Sequence, residues 1–269
     1  MSAVSYYILY PIIWLVTFLP LRVLFVLSDF LYFLAFYIIG YRKKVVYTNL
    51  RNAFPDKPKD EIERIAKAFY RHFADQIIET LKALHVSRDV MKKRFILANP
   101  DVLKTLHAEN KSIIAVFGHY GNWEWLLTLP LYTEYKILAI HKPLSNKYFS
   151  DLVNRLRGKY GVEMITMKQS YRIIMEHHKR NELIITYFLG DQTPMRSEIN
   201  YWTKFLNQDT PVYLGAEKIA QKTCQAVVFF NIQKVKRGYY ELEVINLADD
   251  PEKTGEYEIT EKHVGCWRR

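Results

Sequence analysis

Residues 112–130 read SIIAVFGHYGNWEWLLTLP: an apolar run stops at a histidine, passes two glycines, an asparagine and a glutamate, then resumes with tryptophans and leucines. Ile113–Phe117 has the length and unbroken apolarity of a strand covered on both faces, the habit of parallel sheets. Gly118 and Gly121 allow a tight turn. Asn122 is placed to cap a helix that starts at Trp123. Strand, polar turn and helix in that order make half of a crossover unit.

The pattern repeats outward. Runs of strand length recur at Ile137–Ile140, Val162–Ile165 and Leu183–Phe188. Helical segments near Trp125–Tyr132, Tyr148–Tyr160 and Ser170–Lys179 separate them. A further helix, Val212–Lys222, leads into AVVFFNIQKVKRGYYELEVINL, two strands turned at Lys236-Arg237-Gly238 and expected to pair antiparallel. The expected fold is α/β: a mixed, largely parallel sheet flanked by helices. In such sheets chemistry collects in the loops after the strands. Two polar loops, GHYGNWE after Phe117 and GDQTP after Leu189, stand at such positions.

Upstream, residues 52–84 predict a turn and then a long amphipathic helix begun near Asp56, Pro58 and Asp60, with Ile62, Ile65, Phe69, Phe73, Ile77 and Leu81 at helical spacing. Before it, Tyr6–Ile39 is almost wholly apolar and aromatic, interrupted by Pro11, Pro20, Arg22 and Asp29. A spanning helix needs about 20 apolar residues, and no small-residue cleavage site follows, so a removable signal peptide fits poorly. The run either spans once or lies shallow as two amphipathic helices broken at Pro20. Arg42, Lys43, Lys44 and Arg51 follow it, and positive flanks stay on the cytoplasmic side. The expected organisation is a membrane anchor over residues 1–44 and an α/β domain over 45–269, on the cytoplasmic face.

Composition agrees. With 49% hydrophobic and 25% charged residues, the 269-residue chain suits a folded protein. Lys and Arg number 38 against 28 Asp and Glu, a net charge of +10 that favours an anionic partner. No nucleic-acid module accompanies that charge, which leaves a membrane surface rich in acidic lipid. Cys224 and Cys266 have neither metal-type spacing nor a disulfide framework, and no metal site is expected.

His119 and Glu124 form a His-x4-Glu pair. His177 and Glu182 have the same spacing in a charged run, where a solvated helix face accounts for them. His119 differs in following directly on a strand. A neutral imidazole there can take a proton from a hydroxyl while a carboxylate on its other nitrogen fixes the tautomer. Position alone also allows a capping histidine satisfied by a nearby acid. The sequence has no Gly-x-Ser-x-Gly elbow, His-Glu-x-x-His, P-loop or Gly-x-Gly-x-x-Gly. Without a protein nucleophile, the base would activate a substrate hydroxyl directly, as in group transfer.

FGHYGNWEW resembles the first motif of the lysophospholipid acyltransferase superfamily, in the form found in the late acyltransferases of bacterial lipid A biosynthesis. YTNLRNAFPDK and RHFADQIIE resemble that family's amino-terminal blocks. HKPLSNKYFSDLVNRLRGKYG is similar to its second block, YFLGDQTP to its third, and FLNQDTPVYLGAEKIAQKTCQAVVFF to its fourth. The resemblance implies His119 as catalytic base and Glu124 as its orienting partner. It implies substrate-binding roles for Lys142, Arg155 and Arg157 in the basic block and for Asp191 and Gln192 in the third. Ordinary basic helix faces and a loop cap are the plain alternatives. Pro211 would start the helix of the fourth block.

The implied reaction carries an acyl group from a thioester, on acyl carrier protein or coenzyme A and with no further cofactor, to a hydroxyl of a lipid A precursor in lipopolysaccharide synthesis at the bacterial inner membrane. The net positive charge suits an acidic carrier protein. The family ends in a further helix and a Trp-rich Arg-Arg tail, whereas here ITEKHVGCWRR follows soon after the last strand and points to a shortened or altered end. Two other readings stand beside this one. The acceptor could be a lysophospholipid, aminolipid or other glycolipid, since groove shape sets acceptor choice. Alternatively, the chain could be a non-catalytic, membrane-docked lipid-binding protein.

Overall fold

The computed structural model describes residues 3–142 and 147–267. Within it the side chain of Arg155 lies outside the described residues, as do Arg268 and Arg269 of the tail. The chain forms two compact units, one of residues 1–86 with 204–210, the other of 87–203 with 211–269. The apolar run and the segment that follows it to Val86 thus fall in one unit.

The first unit contains α1 (Ala3–Val16), α2 (Leu21–Phe33) continued by a π-helical turn (Leu34–Ile38), α3 (Lys43–Ala53) and α4 (Lys59–Lys82). α4 packs on the apolar helices: Leu21 and Leu24 meet Ile78, and Tyr32 and Phe36 meet Tyr70 and Ala74. Of the predicted stripe Ile62 is buried, Ile65, Phe73 and Leu81 are half-buried, and Phe69 and Ile77 are exposed. The buried face of α4 also carries Asp75, which accepts from Ser28 Oγ at 2.8 Å, and Lys82, which donates to the carbonyls of Thr17 and Leu19 at 2.7 and 3.1 Å. Buried polar groups need such partners, and these bind α4 to its neighbours. On the outer face of α2 and its continuation, Val23, Val26, Phe30, Phe33, Ile38 and Ile39 are exposed. Leu21–Ile38 is long and apolar enough to cross a membrane by length and composition.

The second unit opens with α5 (Arg88–Arg94), β1 (Phe95–Leu97), α6 (Pro100–Ala108) and β2 (Ile113–Phe117). A 3₁₀ helix (Trp123–Leu131), β3 (Lys136–His141), α7 (Lys147–Gly158), β4 (Glu163–Thr166), α8 (Met167–Lys179) and β5 (Ile184–Leu189) follow. The 3₁₀ form replaces the expected α-helix, and Pro130 inside it would break an α-helical turn. The chain then forms a small pair of strands, β6 (Trp202–Phe205) and β7 (Gln208–Pro211), of which residues 204–210 belong to the first unit. Then come α9 (Gly215–Thr223), β8 (Ala226–Lys236), β9 (Tyr239–Ala248) and α10 (Glu258–Trp267). Pro211 thus closes a strand, and α9 starts later, at Gly215. α10, Glu258–Trp267, is a helix that the sequence had not suggested.

Seven strands form one sheet in the order β1-β9-β8-β2-β5-β3-β4. All neighbours run parallel except the β8–β9 hairpin. This is the mixed, largely parallel α/β sheet expected. Ile113–Phe117 is buried at every position. Ile114 and Val116 pack toward Ala216 and Ala220 of α9 and Ile259 of α10, while Phe117 on the opposite face meets Tyr187 and Phe230.

Candidate active site

Register builds the centre of the site. β2 and β5 are parallel neighbours with Phe117 opposite Leu189, and Gly190 N–H donates to Phe117 C=O at 2.9 Å just past the strand ends. Continued two residues along each chain, that register brings His119 beside Asp191. The carboxylate takes two hydrogen bonds from one residue: His119 N–H donates to Oδ2 at 2.7 Å, and His119 Nδ1 lies 2.8 Å from Oδ1. A carboxylate only accepts, so Nδ1 carries a proton, and in the neutral ring Nε2 presents a lone pair. Among the described residues Nε2 has no hydrogen-bond partner, and the side chain is 34% exposed.

Glycines make this approach possible. A Cβ on Gly118 would lie 3.1 Å from Asp191 Cγ and Oδ2. Gly121 has φ +59°, and a Cβ there would meet the Ile232 carbonyl at 2.7 Å, so both conformation and space require glycine.

Glu124 is not the carboxylate on His119. It pairs with Arg157 on α7, which donates through Nε to Oε2 at 3.1 Å and through Nη2 to Oε1 at 2.6 Å. The physical reason is local: Glu124 stands in the first turn of the 3₁₀ helix, where the fork of Arg157 offers two parallel bonds. The spacing argument fails in the other direction at His177. That ring is buried rather than solvated, and its Nδ1 lies 2.6 Å from Glu182 Oε2. Asn122 is buried at the helix entry but makes no side-chain cap bond there.

Trp123 joins the two pairs. Its ring meets the His119 imidazole edge to face at 4.7 Å and carries the Arg157 guanidinium at 5.5 Å. Below, a narrow cavity of about 40 Å³ is lined by Phe117, Leu126, Val162, Met164, Tyr187 and Leu189, with Glu124 and Arg157 among its walls. Trp125, by contrast, is core.

Of the other predicted residues, Lys142 is exposed just beyond β3 and Gln192 is exposed just beyond Asp191. Neither joins the two ion pairs. One further group emerges that sequence reasoning had missed. His141 ends β3, and burial together with the Arg157 charge holds its imidazole below the ordinary range, against the pull of its bond to Ile165 C=O at 3.1 Å. Its place at a strand's carboxyl end was the available signal. The Glu124–Arg157 pair left no comparable trace, because its partners lie on separate elements brought together by strand order.

Residues 1–263 match the sequence profile of a family described as bacterial lipid A biosynthesis acyltransferase. The match covers essentially the whole chain, and the chain belongs to that family. Comparison with curated proteins finds no match.

Proposed function

We propose that this member of an acyltransferase family carries a fatty acyl group from a thioester to a hydroxyl of a lipid A precursor, with His119 as the general base. The observation that carries the reading is the His119–Asp191 pair at the ends of adjacent parallel strands. Asp191 fixes the tautomer and stabilises the imidazolium once formed. Nε2 removes the proton from the acceptor hydroxyl as its oxygen attacks the thioester carbonyl. The new C–O bond forms a tetrahedral oxyanion, and collapse breaks the C–S bond. The departing sulfur takes the proton back from Nε2.

Glu124 uses two of the five guanidinium N–H groups of Arg157, and the remaining donors suit the oxyanion or an anionic head group. The cavity lined by Phe117, Leu126, Val162, Met164, Tyr187 and Leu189 is mostly apolar, which suits an acyl chain. An acidic carrier protein as donor agrees with the net charge of +10.

The exposed apolar face of α2 is the proposed membrane contact, at the inner membrane with the site on the cytoplasmic side. Asp29, exposed midway along α2, would cost about 3 kcal/mol at the bilayer centre. That cost favours helices lying in the interface over a span. The substrate assignment is tested by mass spectrometry of total lipids from cells with and without the gene. A lipid A species lighter by one acyl group in the deleted strain is expected. Unchanged lipid A with another lipid short of an acyl chain would overturn the acceptor.

A further inference from the structure

The carboxyl-terminal helix reaches the catalytic loop from the other side of the sheet. A Cβ on Gly190 would lie 3.1 Å from Trp267 Cη2, 3.5 Å from its Cζ2 and 3.4 Å from Val116 Cγ1, so the indole edge rests on the residue that precedes Asp191. Across the loop, Asp191 rests on Gly118. The aspartate is thus confined between a backbone on one side and an indole-backed peptide on the other.

The indole is itself held. Its ring meets Phe229 at 6.4 Å and His263 at 5.1 Å, both edge to face. At the other end of α10, the buried Glu217 of α9 accepts from Tyr257 N–H at 2.7 Å, Thr260 N–H at 2.8 Å and Thr260 Oγ1 at 2.6 Å. A carboxylate at a helix start satisfies its free N–H groups and complements the dipole. Ile259 and Val264 are fully buried between these anchors. α10 is therefore fixed at its start, along its length and at Trp267.

We propose that Trp267 is a positioning residue for the His119–Asp191 pair, acting through Gly190. Glycine has the widest backbone freedom of any residue, and here its neighbour must hold a carboxylate to a fraction of an ångström. Packing of the indole supplies the restraint that the glycine lacks. A misplacement of about 1 Å at such a pair costs on the order of a hundredfold in rate.

The inference rests on the acyl-transfer reading, and the test separates the two. Turnover is measured with a dodecanoyl thioester of acyl carrier protein and an acylated glucosamine disaccharide, on the full chain. Trp267→Ala is expected to lower kcat by about tenfold to a hundredfold with KM for the donor little changed. Trp267→Phe is expected to regain most of that loss. In an Asp191→Ala background, Trp267→Ala is expected to have no further effect on kcat, because a residue acting through Asp191 has nothing left to position. Additive losses in that cycle, or a change confined to KM, would overturn the proposal. Thermal melting checks folding, and Trp267→Leu, which keeps apolar packing while withdrawing the ring edge, carries the same test should the alanine variant unfold. If His119→Ala retains turnover in this assay, the acyl-transfer reading fails. If it abolishes turnover and the cycle is additive, only the positioning role fails.

Discussion

Asp191 holds both the backbone and the ring of His119, and Glu124 holds Arg157 through two parallel bonds. The two carboxylates therefore have different tasks, and their variants should differ in kind. Asp191→Asn offers an amide that can donate to the imidazole and so favours the wrong tautomer. We expect kcat to fall by about 10²–10⁴-fold in acyl-transfer assays, the range lost with general-base assistance. Arg157→Lys keeps the charge but loses the planar fork. A kcat reduced by about 10²-fold is expected, the cost of removing one oxyanion donor, and wild-type turnover in this variant would remove Arg157 from the mechanism. The place of the histidine was legible in the sequence, because it follows a buried run and lies between two glycines. Its partner was not. A five-residue spacing says nothing about which strand lies alongside, and only the β2–β5 register brings residue 191 to residue 119. The contrast with His177, which does bind the acid five residues on, shows that spacing alone is a poor guide to pairing.

At the scale of elements, strands were the easier reading. Ile113–Phe117 and the turn at Lys236-Arg237-Gly238 carry their structure in local composition, and the expected and observed elements agree within a residue or two. The short β1 lacks that signal: it is three residues long and is specified by pairing with β9. α4 misled for a different reason. Two members of its apolar stripe, Phe69 and Ile77, face outward, and its buried face includes polar groups matched to partners elsewhere in the first unit. α10 offers a pH test. Burial of His263 lowers its pKa from 6.5 to about 4, so folding favours the neutral ring. The associated stability is complete above about pH 6.5 and is lost as pH falls toward 4, amounting to about 3 kcal/mol at most. Melting temperature should drop over that window in the wild type, and the drop should be shallower in His263→Leu. Parallel curves for the two proteins would contradict it.

At the scale of the whole molecule, family membership, the α/β sheet and the apolar amino-terminal helices all support a lipid-modifying enzyme at a membrane surface. If α1 and α2 lie in the interface, both flanks of the apolar run stay on one side. Cysteines introduced as Ser2→Cys and Lys44→Cys should then both react with a membrane-impermeant maleimide only after the inner membrane is opened. Labelling of position 2 in intact spheroplasts would show a span instead. The central claim, however, concerns one ring nitrogen and is tested most directly by the turnover of purified His119→Ala with an acyl thioester donor and a lipid A precursor. The account predicts transfer reduced by about 10²–10⁴-fold in a variant with an unchanged melting curve. Turnover equal to that of the wild type would contradict it.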